Sequence, residues 1–282
     1  MFKIYDNQMY TIPFPDGAKP LDIFVSSMDK ERVTAKIEGV DGLIDYGSTF
    51  NERNIELKML LVSKDTRDYR LLRDKVNSIF SKTDTLYVSE EHQRGKVYKI
   101  SVDESFIPER IEGNQYYATA TINCRTVGLP FAQSIGTTED IDKDGITSES
   151  ELWGFGMGLM SEDHSLNYTH EIMSGETFEI YNAGNVIVHP FHQDLKIEIT
   201  GVTTNESFTL TNETNGTNFQ YNGILRTVDK VVIDGPMITI NGLQDLRNSS
   251  KTYIQISEGW NTFSIKGTPS AKVKFIFRFY YK

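Results

Sequence analysis

The feature that most limits the fold is a single change of period between Ile55 and Phe80. Ile55, Leu57, Met59 and Leu61 recur at every second position, which marks a strand with one buried face. Directly after it, Tyr69, Leu72, Val76, Ile79 and Phe80 fall at i, i+3, i+7, i+10 and i+11, an apolar stripe with charge opposite. Ser63 and Asp65 are candidate N-caps, Asp68 reinforces the first turn, and Ser81 begins the exit. No other stretch carries a helical stripe of this quality. The rest of the chain reads as strands, so one sheet face is covered by this helix and the remaining core is built strand against strand.

Strands are expected over 21–26, 32–37, 55–62, 86–89, 96–102, 106–112 and 115–127, with a Gly-Asn turn between Ile111 and Gln115. Periodicity then lapses from Gly128 to Met160, a stretch rich in Gly, Ser, Thr and acidic residues, and resumes as short strands. Those are expected over 176–181, 186–189, 195–200, 207–211, 219–221, 225–234, 237–240, 259–265 and 271–281. Asn215-Gly216, Asn222-Gly223, Asp234-Gly235 and Asn241-Gly242 supply the positive-φ pairs that tight hairpins require. The length of 282 residues also favours two domains. The expected organisation is mainly β: an N-terminal β-sandwich with one packed helix over 1–130, a linker over 131–160, and an all-β sandwich over 161–282.

Charge excludes some functions. The formal net charge is −10, split evenly: 19 basic and 24 acidic residues before position 147, and 10 and 15 after it. An acidic chain without a basic patch meets repulsion where phosphate neutralisation would supply affinity, which argues against nucleic-acid binding and against adhesion to anionic membranes. The N-terminus lacks the basic and continuous apolar regions of a signal peptide, and no apolar run reaches spanning length, so synthesis in a cytoplasm is the expectation. The one cysteine, Cys124, alternates with Ile122, Ala120 and Ala118 and reads as a small buried hydrophobe. Without a secretory signal the five sequons, at Asn167, Asn205, Asn212, Asn215 and Asn248, read as Asn/Thr-rich turns.

Motifs that carry chemistry are weak when weighed against their surroundings. Asp140, Asp142, Asp144, Gly145 and Glu151 fit the spacing of a calcium loop, but neither flank reads as the helix such a loop needs. An acidic solvated linker is the expectation there, with no specific metal site. Gly154, Gly156 and Gly158 lack the strand, helix and spacing of a dinucleotide loop. His189 and His192 would face opposite ways in a strand unless the chain bends at Pro190, and no third ligand lies nearby. No nucleophile elbow, zinc-protease motif or carboxylate pair in an apolar setting is present, so no catalytic, cofactor-binding or metal residue is assigned and an enzyme is not expected. Trp153 and Trp260 are the two tryptophans. Trp260, at the start of a strand with Phe263 and Ile265, is expected in the core, which leaves the second half without a platform for sugar stacking.

Several stretches together resemble the distal tail proteins of long-tailed (siphovirus-type) phages of Gram-positive bacteria. In the first half these are Gly39-Val-Asp-Gly42, Asp45-Tyr-Gly-Ser-Thr-Phe50, Arg53-Asn-Ile-Glu-Leu57, the helix from Asp65 to Phe80, and Gly95 to Val102. In the second half they are Tyr181-Asn-Ala-Gly184 leading to His189-Pro190, Leu195 to Ile199, Glu258-Gly-Trp-Asn261, and Lys272 to Tyr281. The joint Leu152-Trp-Gly-Phe-Gly-Met-Gly158 fits as well. The resemblance implies an N-terminal belt domain and a C-terminal galectin-like sandwich. It also implies a structural baseplate hub at the distal end of the virion tail: a homohexameric ring joining the tail-tube protein to the tail-tip spike or tail-lysin protein. Receptor-binding proteins would attach to such a hub and DNA would only pass through its channel. A carbohydrate-binding module for host cell-wall glycans is the alternative.

Overall fold

The computed structural model describes residues 1–112, 116–147, 149–160 and 166–282. The chain divides into two compact units, Met1–Ala132 (with Lys282) and Gln133–Tyr281. In the first, antiparallel strands run in the order Phe2–Tyr5, Leu86–Glu90, Lys96–Ser101, Tyr117–Thr126, Asn54–Val62, Ala18–Val25. On the buried face of the two central strands, Ile55 stands opposite Cys124, Met59 opposite Ala120 and Leu61 opposite Ala118, large against small, while Leu57 stands opposite Ile122. That pairing leaves room for the helix α1, Thr66–Ser81, whose Leu72, Val76 and Phe80 are buried in the same core. Asp65 is the N-cap, its carboxylate accepting the Arg67 and Asp68 N–H groups at 2.7 and 2.8 Å. Ser63 instead donates to the Tyr116 carbonyl. Gly17 has φ +92°, and a Cβ there would stand 2.5 Å from the Val62 carbonyl oxygen, so only glycine passes this crossing.

The second unit is a sandwich of two antiparallel sheets. One runs Thr169–Met173, Ser270–Phe277, Leu195–Thr200, Val231–Asp234, Met237–Ile240, Leu243–Gln244; the other runs Thr177–Asn182, Gly259–Lys266, Phe208–Asn212, Asn218–Tyr221. Phe275 bridges them, with ring centroids 4.7 Å from Phe263 and 6.1 Å from Phe178. At one end of the core, buried Asn261 donates to the Ser257 and Gly259 carbonyls and accepts from Asn212 and the Ser257 N–H. Every polar atom of that amide is satisfied, which is what makes its burial tolerable.

The structure corrects several expectations. The stretch 131–160 is no free linker: from Gln133 onward it belongs to the second unit. It contains the helix α2, Thr138–Asp144, tied to strand Ser270–Phe277 by Thr138 Oγ1, which donates to the Phe275 carbonyl and accepts the Phe277 N–H. Trp153 is buried there against Phe279. The segment expected to be a strand over 186–189 makes one isolated bridge, Val188 with Ile256, and only Val231–Asp234 of 225–234 is a strand. The strand expected over 271–281 stops at Phe277, and the chain breaks from it before Tyr280–Tyr281, where both tyrosines are buried. The Gly-Asn turn expected at 111–115 lies partly outside the described residues.

Candidate functional site: an exposed arm and an acidic groove

The least buried element of the first unit is a separate two-stranded hairpin, Lys30–Ala35 paired with Ile44–Phe50. Gly39 and Gly42 turn it with φ +82° and +97°, a conformation that other residues rarely adopt. Val33, Ile37, Val40, Leu43, Ile44 and Tyr46 are all exposed along this arm, Tyr46 at 66%. A two-stranded hairpin is marginal by itself in water, and apolar side chains without cover make this one a contact element in search of a surface.

Its base, by contrast, is fixed. The Asn51 N–H donates to the Asp29 carbonyl at 3.0 Å, and Arg53 donates twice to the Ser26 carbonyl, at 3.0 and 2.7 Å. The Arg53 guanidinium lies 5.4 Å from the Tyr98 ring centre. Burial raises the Tyr98 phenol above its ordinary value, opposed by the neighbouring Arg53 charge. Beyond this root the strand Lys30–Ala35 is roughly 20 Å long, at about 3.3 Å per residue.

Beside the root opens a groove of about 480 Å³, floored by Phe24, Val25, Ile55 and Cys124 and rimmed by Glu56, Asp103, Glu104 and Arg125. A second recess of about 410 Å³ continues it past Asn51 and Glu52. Arg125 stands between carboxylates, 3.9 Å from Glu104 and 4.0 Å from Glu52. The Cys124 thiol is pushed up to about 12 by burial and then by the nearby Asp103 charge, so it is a packed hydrophobe with no thiolate character at neutral pH.

The sequence motifs resolve differently in the second unit. Asp140 accepts the Thr137 N–H at 2.7 Å and caps α2, Asp142 accepts the Tyr168 N–H and the Thr169 hydroxyl, and Asp144 lies 3.8 Å from Lys143. Each of these carboxylates has a separate partner. His189 and His192 come together, with ring centroids 4.9 Å apart, through a turn at Pro190. Burial, then the second imidazole, lowers the His189 pKa, and no third ligating side chain joins them among the described residues. Trp260 is not in the core. It is 47% exposed, paired across the ladder with Tyr181 at 4.9 Å between ring centroids.

Residues 16–124 match the family of the phage tail protein RIFT-related domain. The match falls within the first unit. Over the whole chain, the crystal structure of the SPP1 Dit (gp 19.1) protein shares the fold. It superposes with a TM-score of 0.66 at 12% identity and covers 99% of this chain and 99% of its own; it is described as a paradigm of the hub adsorption apparatus in phages that infect Gram-positive bacteria. Chains of the phage p2 baseplate in its activated conformation, with Ca and with Sr, give TM-scores of 0.42 and 0.40 at 11% and 12% identity, each covering 98% of this chain and 97% of theirs. No curated protein matches the sequence. The exposed arm Lys30–Phe50 lies within the matched residues 16–124, as does the lining of the groove apart from Arg125.

Proposed function

We propose that this chain is a structural, non-enzymatic hub at the distal end of a phage tail. In this reading six copies close a ring through their tail domains, joining the tail tube to the tail-tip spike or tail-lysin protein and holding receptor-binding proteins. The observation that carries the reading is the coincidence of a phage tail domain at 16–124 with a Dit-like fold that runs on through both units. The arm adds a physical reason for assembly: its apolar side chains have no cover within their own unit, and a head-to-tail contact between copies supplies it while closing by rotation. An acidic lumen suits the passage of DNA, because repulsion prevents the phosphate contacts that would retard it. Sedimentation velocity and negative-stain microscopy of the full chain are expected to show six-membered rings as concentration rises. A monomer at every concentration and ionic strength would contradict the ring.

One observation favours a second reading, that the second unit binds host cell-wall glycan: the exposed Trp260 ring, held against Tyr181, is a surface on which a pyranose could stack. The hub reading expects isothermal titration of the full chain with cell-wall polysaccharide to be silent. Saturable binding lost in Trp260→Ala, with melting unchanged, would transfer recognition to this unit.

A further inference from the structure

We propose that Asn222-Gly223 is a site of spontaneous deamidation, a covalent modification that the fold permits there and blocks at Asn215-Gly216 and Asn241-Gly242. The site is independent of the ring. In the reaction the Gly223 backbone nitrogen bonds to the Asn222 side-chain carbonyl carbon and passes its proton to the amide nitrogen, which leaves as ammonia. Water then opens the resulting succinimide at either carbonyl. One route gives aspartate; the other runs the main chain through the β-carbon and gives isoaspartate. Water is the only co-reactant, and glycine favours the attack because no Cβ crowds its nitrogen.

Hydrogen bonds decide which pair reacts, because the asparagine amide must turn onto the next nitrogen and give up whatever holds it. Asn215 is held at both ends of its amide. Its Nδ2 donates to the Gln255 carbonyl and the Ser257 hydroxyl, both at 3.0 Å, and its Oδ1 accepts the Thr217 N–H at 3.0 Å and the Thr217 hydroxyl at 2.7 Å. The Gly216 N–H is itself engaged, donating to the Asn212 carbonyl at 2.8 Å. Asn241 and Gly242 form the tight turn between Met237–Ile240 and Leu243–Gln244, with φ +52° and +83°. There the amide oxygen accepts the Lys230 N–H at 2.9 Å and the amide nitrogen donates to the Asp229 carboxylate at 2.8 Å. Several such bonds broken together slow the step by an order of magnitude or more.

Asn222 lacks such a clamp. It is exposed, and its side chain accepts one bond, from the Gln220 amide at 2.8 Å. Among the described residues neither its Nδ2 nor the Gly223 N–H has a partner. Neither residue has positive φ, so this pair does not make the tight turn that Asn-Gly predicts. Packing explains the glycine instead: a Cβ at 223 would stand 2.8 Å from the Tyr221 ring. The site lies one residue past the edge strand Asn218–Tyr221, which is clasped where the Asn222 N–H donates to the Asn248 carbonyl at 2.6 Å and the Ser250 N–H to the Gln220 carbonyl at 2.8 Å. Isoaspartate there lengthens the main chain between that clasp and the bridge of Leu225 to Thr204.

The test follows the full-length chain in warm, mildly alkaline buffer by peptide mapping with fragmentation, which reads conversion at each asparagine separately. Asn222 is expected to convert at least tenfold faster than Asn215 and Asn241. In urea, where the fold is lost, the three rates are expected to converge to within a few-fold, which separates the effect of the fold from that of the local sequence. Asn222→Gln is expected to leave only the slow conversions. Comparable rates at the three pairs in the folded chain, or faster conversion at Asn215 or Asn241, overturn the assignment. So does a tenfold lead for Asn222 that persists in urea, because the hydrogen bonds would then not be its cause.

Discussion

Truncating Phe275 to alanine is expected to destabilise the second unit by about 3–5 kcal/mol, the usual range for a fully buried phenylalanine. The side chain is wholly buried, and its ring contacts Phe263 and Phe178 on the opposite sheet, so its loss opens a void between layers that close-packed neighbours refill only in part. In differential scanning calorimetry the transition of that unit should fall by roughly 10 °C, at about 2–4 °C per kcal/mol for a domain of this size. A change below about 1 kcal/mol would mean that the two sheets are not held together by this contact.

The arm should behave in the opposite way. Tyr46→Ser combined with Val33→Ser removes two exposed apolar side chains, so the melting temperature should hold, with stability changing by no more than about 0.5 kcal/mol. Assembly should not hold. Apolar anchors at an interface commonly contribute about 1–2 kcal/mol or more each, so every contact in the ring should weaken at least about tenfold. Six such contacts close the ring, and their losses compound. Size-exclusion chromatography with light scattering should then find the variant monomeric where the parent is assembled. Rings of unchanged stability would remove the arm from the interface.

How far the sequence reveals these features varies by element. Helix α1 was legible because its five apolar positions keep one period from Tyr69 to Phe80 and Asp65 caps it. Strands Leu195–Thr200 and Met237–Ile240 match their expected bounds, since clean alternation meets turn residues at both ends. Helix α2 escaped because six polar and charged residues with one buried aliphatic, Ile141, carry no stripe; what holds it is the hydrogen bonding of Thr138 to a strand that lies far away in sequence. The misplacement of Trp260 has a simple cause. A period of two that turns Phe263 and Ile265 inward turns residue 260 outward, and the expectation followed aromatic character where parity should have decided. The arm's strands could be suspected from 32–37 and from the glycines after it, but nothing local says that a strand rich in Val, Ile and Tyr lies uncovered. Exposure is a property of the whole unit.

The central claim is a position, the distal end of a tail, and immunogold electron microscopy of phage particles with antibody against this chain tests it most directly. The hub account predicts label confined to the tail tip. Label along the length of the tube, at the head, or absent from particles whose tails are intact would contradict it.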